Sequence, residues 1–186
     1  MKEITFVTGN NLKFEVAQKA LEPYEIKLIQ QKLDTPEIQS TDVGEVASYS
    51  AKWACEQLKK PVVVTDGGYY IKALNGFPGP FIKYINKWLT SADILKLMEG
   101  KNDRDIEVRD ALGYCEPGKE PEIFYGIFKG KIALKAGQKG TTPINEIYIP
   151  EGYDKVESDI GWKEMSKYWA KGDKWQKLAE YLMKNK

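Results

Sequence analysis

The chain contains no histidine. That absence excludes Ser-His-Asp and Cys-His nucleophilic catalysis, histidine-ligated zinc and imidazole acid–base chemistry. An enzyme built from these residues and working near neutral pH relies on carboxylates, lysines or a hard metal ion held by oxygen. Only two cysteines occur, Cys55 and Cys115, far apart and in no metal-ligand spacing. They read as the reduced thiols of a cytoplasmic protein. No apolar run approaches the ~18 residues of a membrane span, and residues 3–7 read as a strand rather than a secretory leader. The formal net charge is only +1, so no global field draws the chain to nucleic acid or to a membrane. Repeats, low-complexity tracts and linkers are missing too. With 186 residues, 42% apolar and 30% charged, the chain can bury a full core as one soluble domain spanning 1–186, or as two tightly joined lobes.

The most informative stretch is Ile4-Thr5-Phe6-Val7-Thr8-Gly9-Asn10-Asn11-Leu12-Lys13. A strand-like run stops at Thr8-Gly9-Asn10, and a helical pattern follows at once in Phe14, Val16, Ala17, Ala20 and Leu21. A strand that turns straight into a helix presents backbone N–H groups at the helix start. The helix dipole adds positive potential there, so the turn suits an anion. Gly9 lets a phosphate approach the backbone, and Lys13, one turn in, can meet the same anion. The same residues also suit an ordinary strand-to-helix turn with a solvated lysine.

Alternating elements follow. Residues 3–7 predict a strand, 11–22 a helix and 26–29 a second strand. Asp42 and Glu45, at capping-box spacing, open a helix carrying Val46, Tyr49, Trp53, Ala54 and Leu58. Pro61 to Asp66 reads as a buried parallel strand ending in an acid. Ser91 caps a short helix through Met98. Residues 104–115 and 122–135 read as two long strands around Glu116-Pro117-Gly118-Lys119. Residues 144–149 read as another strand, and helices at 160–170 and 173–184 close the chain. The pattern predicts an α/β fold with a mixed sheet, flanking helices and two lobes around a central cleft.

Three more segments carry chemistry. Leu33-Asp34-Thr35-Pro36-Glu37-Ile38-Gln39 holds Glu37 on an extended loop, as a functional or a solvated acid. Asp66, followed by Gly67 and Gly68, stands where open α/β sheets place their ligands. Gly76-Phe77-Pro78-Gly79-Pro80 fixes a rigid loop that delivers Lys83, unless it is a structural turn with a surface lysine.

Together these segments resemble the inosine triphosphate pyrophosphatase family. The resemblance spans nearly the whole chain. It rests on Thr8-Gly9-Asn10-x-x-Lys13, Pro36-Glu37-Ile38-Gln39, Asp66 and Gly76-Phe77-Pro78-Gly79. Phe124-Tyr125-Gly126, Lys129-Gly130-Lys131-Ile132 and Pro150-Glu151-Gly152 fit it as well. It implies that Thr8, Gly9, Asn10 and Lys13 hold a triphosphate and that Glu37 and Asp66 bind magnesium. It also implies that Asp66 helps activate water, with Lys13 in the catalytic site. Lys52, Gly67, Lys83 and Lys167 would contact the nucleotide. The implied reaction breaks the bond between α- and β-phosphates, giving nucleoside monophosphate and pyrophosphate. The implied assembly is a homodimer, with no nucleic-acid or membrane partner.

The chain departs from the family in a patterned way. The family's Glu-Asp pair before a Ser or Thr reads Thr65-Asp66-Gly67 here, and the glutamate expected after Lys13 is Val16, beside Glu15. The base-recognition loop, normally Phe-Gly-Trp/Tyr-Asp-Pro, reads Thr142-Pro143-Ile144-Asn145-Glu146. The family's Ser-His-Arg tripeptide, which contacts the purine, is replaced at about Lys171-Gly172-Asp173. Lys171 or Lys174 could donate to a base edge, although neither offers a bidentate fork. Trp162, Trp169 and Trp175 could stack on a base or pack as core. The final 26 residues hold seven lysines against three acids, so this end either attracts an anion or is a solvated basic face. The expected function is a magnesium-dependent nucleoside triphosphate pyrophosphatase that cleanses the nucleotide pool, with altered base preference. The alternative is a nucleotide-binding or regulatory protein with little turnover.

Overall fold

The computed structural model describes residues 2–184. Its elements run β1 (Lys2–Val7), α1 (Asn11–Leu21), β2 (Ile26–Gln31), α2 (Val43–Leu58) and β3 (Val62–Ile71). Then come β4 (Pro78–Gly79), α3 (Ile82–Trp88), α4 (Ser91–Leu97), β5 (Asp105–Cys115) and β6 (Glu122–Ile132). β7 (Tyr148–Pro150), α5 (Glu157–Ile160), α6 (Trp162–Ala170) and α7 (Lys174–Lys184) complete the chain. The strands form one mixed sheet in the order β2-β1-β3-β5-β6-β7, with β4 paired to β3. β1 runs parallel to β2 and β3, whereas β3–β4 and β6–β7 are antiparallel.

The chain divides into two compact units, as the two-lobe expectation has it. The first holds residues 1–66, 110–126 and 166–186. Alternation along β1 and β3 places its core on both sheet faces. Ile4, Phe6 and Val63 pack with Ala17 and Leu21 of α1 and with Trp175, Leu178, Ala179 and Leu182 of α7. Val7, Val62 and Val64 pack with Ala51, Ala54 and Cys55 of α2 and with Cys115. Each fully buried aliphatic or Phe side chain contributes about 1.5–3 kcal/mol, so this doubly covered sheet is a firm base for the loops at its strand ends.

The second unit holds residues 67–109 and 127–165. Tyr69 meets Tyr148 edge to face at 5.7 Å, and Arg109 lies over the Tyr70 ring at 4.3 Å. The Arg104 guanidinium donates to the Ile132 and Ala133 carbonyls at 2.7 and 2.5 Å. Among the described residues, no helix is long and apolar enough to cross a membrane.

Several local expectations are corrected. β3 does not end at Asp66; it continues through Gly67 and Gly68 to Ile71, because Tyr69 and Tyr70 pair with Gly79 and Pro78. Asp42 caps α2 by accepting from Gly44 N at 2.7 Å, but Glu45 accepts from the Ser40 hydroxyl at 2.6 Å and makes no box. The capping box belongs to Thr90 and Asp93. Ser91, one residue on, is buried and donates to Glu146 at 2.6 Å. Residues 143–146 form a 3-10 turn rather than a strand, and α3 and α5 lie where no helix was expected.

Candidate functional site

Thr8, Gly9 and Asn10 join β1 to α1. Asn10 caps the helix: its Oδ1 accepts from the N–H groups of Leu12 at 2.9 Å and Lys13 at 3.2 Å. Two of the donors expected to face an anion are therefore already taken. Thr8 Oγ accepts from Asn10 N at 3.1 Å, which leaves the hydroxyl hydrogen to donate elsewhere. Gly9 is exposed, and its φ is not in the left-handed region. A Cβ there would meet only the Lys32 stem, at 3.5–3.6 Å. The fold itself does not demand a glycine at this position.

That contact reveals a cation the sequence reading missed. Lys32 follows β2, nineteen positions beyond Lys13, and its stem lies along the turn because β2 pairs with β1. Lys13 is exposed in the first turn of α1.

Asp66, half-buried, sits mid-strand rather than at a strand end. Lys174 opens α7 in the same unit. Lys174 is 5% exposed and ion-paired with Asp110 of β5. Burial pushes its pKa down and Asp110 pulls it back up. The expectation that Lys171 or Lys174 donates to a base edge is thus corrected for Lys174: it is buried and ion-paired with Asp110. Asp110 carried no signal in the sequence, because its partner is 64 positions away.

Glu37 is exposed on the loop after β2. Lys52 of α2 is half-buried and pairs with Glu120 at 2.5 Å, which raises its pKa. It lines a cavity of about 290 Å³ together with Cys55 and Cys115. Lys167 of α6 is exposed. In the second unit, Gly67 and Gly68 lie within β3, and a Cβ on Gly68 would come within 2.7 Å of the Gly79 backbone. This packing ties the two glycine segments together, and the exposed Lys83 stands in the first turn of α3. Among the described residues, no three His, Cys, Asp or Glu side chains gather as a metal cage.

The segment at 142–146 is closed by its own bonds. Ile144 is 1% exposed. Asn145 Oδ1 accepts from the Thr141 and Thr142 hydroxyls at 3.0 and 2.5 Å, and its Nδ2 donates to Glu157 at 2.6 Å. Glu146 accepts from Ser91 and from Gly140 N, at 2.6 and 3.2 Å. Trp175 is core, edge-on to Phe6 at 5.4 Å, and is removed from the candidates for base stacking. Trp169 meets Tyr168 at 5.0 Å, and Trp162 is exposed.

The fold is that of a mixed-sheet α/β protein whose first strand-to-helix junction is the Thr8-Gly9-Asn10 turn. Residues 4–181 match the Ham1 family. Over 183 residues the chain is 37% identical to the dITP/XTP pyrophosphatase of Methanopyrus kandleri, covering 98% of this chain and 97% of that one. It is 42% identical over 149 residues to the dITP/XTP pyrophosphatase of Methanosarcina acetivorans, with 78% and 81% covered. A solved HAM1 protein from Coxiella burnetii superposes with a TM-score of 0.81 at 25% identity, over 99% of this chain and all of that one. The chain belongs to the Ham1 family.

Proposed function

We propose that this chain is a nucleoside triphosphate pyrophosphatase, releasing monophosphate and pyrophosphate and so clearing unwanted nucleotides from the pool. The observation that carries the reading is the parallel pairing of β1 with β3 within one unit, which sets the Thr8-Gly9-Asn10 turn and Lys13 at the end of the strand beside the one that bears Asp66. Curated relatives named for dITP and XTP support it.

In this reading the Thr8 hydroxyl and the Gly9 backbone meet the triphosphate, with Lys13 adding charge. Asn10 holds the helix start in place through its Oδ1, and its Nδ2 is assigned to the phosphates. Lys52, Gly67, Lys83 and Lys167 are assigned to the nucleotide, and Lys13 also offsets charge on the departing pyrophosphate. Glu37 and Asp66 are the proposed magnesium ligands. The donor set fits: magnesium is usually held by one or two carboxylates plus substrate phosphates rather than by an all-protein cage. When bound, the ion would neutralise phosphate oxygens and lower the pKa of water. Asp66 would hold that water in line by accepting its hydrogen bond. A homodimer in the cytoplasm completes the proposal.

The second reading, a nucleotide binder with little turnover, draws on Thr65 standing where the family has an acid. Pyrophosphate release measured across ITP, XTP, dATP, dCTP and dTTP with magnesium separates the two. Turnover on any of them supports the enzyme, and tight binding without release supports the binder.

A further inference from the structure

Lys32 is the cation beside the Thr8-Gly9-Asn10 turn to which the proposed chemistry gives no part. Its place follows from strand register. β1 and β2 pair in parallel with Val7 opposite Gln31, and the Thr8 N–H donates to the Gln31 carbonyl at 3.0 Å. Lys32 is the next residue, so the pairing carries it to the turn. Gln30 braces the two strands there: its Nε2 donates to the Thr8 carbonyl at 3.3 Å and to Asn11 Oδ1 at 3.1 Å. Beyond that brace the Lys32 side chain lies along Gly9. A Cβ on Gly9 would meet its Cγ at 3.5 Å and its Cδ and Cε at 3.6 Å. Three successive carbons at nearly one distance describe a stem laid over the turn, with the ammonium one bond further on.

Two further observations bear on that ammonium. Among the described residues Lys32 makes no ion pair, whereas Lys27 of β2 pairs with Glu3 at 3.0 Å and Lys19 of α1 with Glu15 at 2.9 Å. The N–H groups of Thr8, Asn10, Leu12 and Lys13 are spent on Gln31 O, Thr8 Oγ and Asn10 Oδ1. The N–H of Gly9, beside which the lysine stem passes, has no acceptor among the described residues. Resting on the pyrophosphatase reading, we propose that Lys32 is a substrate-binding residue of the phosphate end: its ammonium and the Gly9 N–H hold one phosphate of the chain, and Lys13 meets the next from α1. A lysine suits this place because its ammonium is a compact charge with rotatable donors and needs no fixed fork. A monophosphate gives the two ammonium groups a single phosphate to share, whereas a triphosphate gives each its own. Lys32 therefore adds to the preference for a polyphosphate chain.

The test uses the full chain and inorganic tripolyphosphate, followed by calorimetric titration. Lys32→Gln keeps most of the stem and removes the charge. Lys27→Gln, on the same strand but away from the turn, changes the net charge equally and serves as the control. Lys32→Gln is expected to weaken tripolyphosphate binding about tenfold and monophosphate binding less than about threefold. Its melting temperature is expected to match the wild type, because the side chain is exposed. Lys32→Arg, which keeps the charge, recovers most of the loss, and Lys27→Gln leaves binding as it was. A Lys32→Gln protein that binds tripolyphosphate as tightly as the wild type, or a loss that Lys27→Gln matches, would overturn the proposal.

A second measurement needs no variant to fold. The Gly9 amide and the lysine side-chain NMR signals of the wild-type protein are followed as tripolyphosphate is added. The Gly9 and Lys32 signals are expected to move together while that of Lys27 stays put. A Lys32 signal that does not move while Gly9 does contradicts the proposal, as does a wild-type protein that binds no tripolyphosphate. Neither arm needs turnover. A wild-type protein that binds tripolyphosphate but releases no pyrophosphate would therefore sink the enzyme reading and still leave these arms to decide on Lys32.

Discussion

Lys13 and Asp66 stand on opposite kinds of support. Lys13 is exposed on the first turn of a capped helix, whereas Asp66 is fixed in the middle of a ten-residue strand. Their substitutions should differ accordingly. Lys13→Ala is expected to weaken triphosphate binding about ten- to a hundredfold, since a hydrogen bond to a charged group is worth roughly 1.5–3 kcal/mol. Monophosphate binding should weaken less, because the lysine's effect scales with ligand charge; equal losses would point to a structural role. Asp66→Asn is expected to abolish magnesium-dependent turnover while the melting temperature holds, and unchanged activity would remove Asp66 from the site. Gly9→Ala separates fold from function at a third residue. There is ordinary space for a Cβ there, so thermal stability should be unaltered while tripolyphosphate binding drops. The turn that carries Gly9 and Lys13 was legible in sequence because a period change and a glycine mark it, whereas Asp66 was expected at a strand end and lies mid-strand. Lys32 and Asp110 were not legible, since each reaches its neighbours through strand pairing or across the sheet rather than along the chain.

At the scale of elements, the packing of α2 against β5 brings the two cysteines together, although the sequence separates them by 60 positions. Cys55 Sγ donates to the Lys60 carbonyl and Cys115 Sγ to the Lys119 carbonyl, each at 3.4 Å, and burial pushes Cys55 up and Cys115 up to about 12. Burial also raises the neighbouring Tyr114, whose hydroxyl donates to Glu116 at 2.6 Å. The native state therefore keeps protons that the unfolded chain gives up above the ordinary thiol pKa of about 8.5. Stability should be fully present below that pH and fall as pH rises toward 12. Melting temperatures from pH 8 to 11 are expected to decline, and Cys115→Ala should flatten the decline; an unchanged slope would remove the thiol as its cause. The 142–146 turn makes a separate prediction. A site that hydrogen-bonds a base edge can discriminate about 10⁴-fold, but Asn145 and Glu146 spend their groups internally. The ratio of kcat/KM for ITP and XTP over ATP and GTP is expected to stay below a hundredfold. A larger ratio would mean that other residues have rebuilt the purine site. Element boundaries misled where two capping residues adjoin, as at Thr90-Ser91, and where glycines looked like a turn but remained in a strand because β4 pairs alongside.

For the whole molecule, length and alternating pattern were enough to read a mixed α/β fold in two parts, because period changes are carried by many residues at once. The sequence reading offered Lys171 or Lys174 as a donor to a base edge, since only the folded chain shows α7 bringing Lys174 to Asp110. The central claim is a reaction, and its products decide it. Phosphorus NMR of the mixture formed from ITP and magnesium distinguishes cleavage between the α- and β-phosphates from cleavage between β and γ. Signals of IMP and pyrophosphate in equal amounts, absent with Asp66→Asn, are the predicted result. IDP with orthophosphate, or an unchanged triphosphate for this and the other nucleotides, would contradict the account.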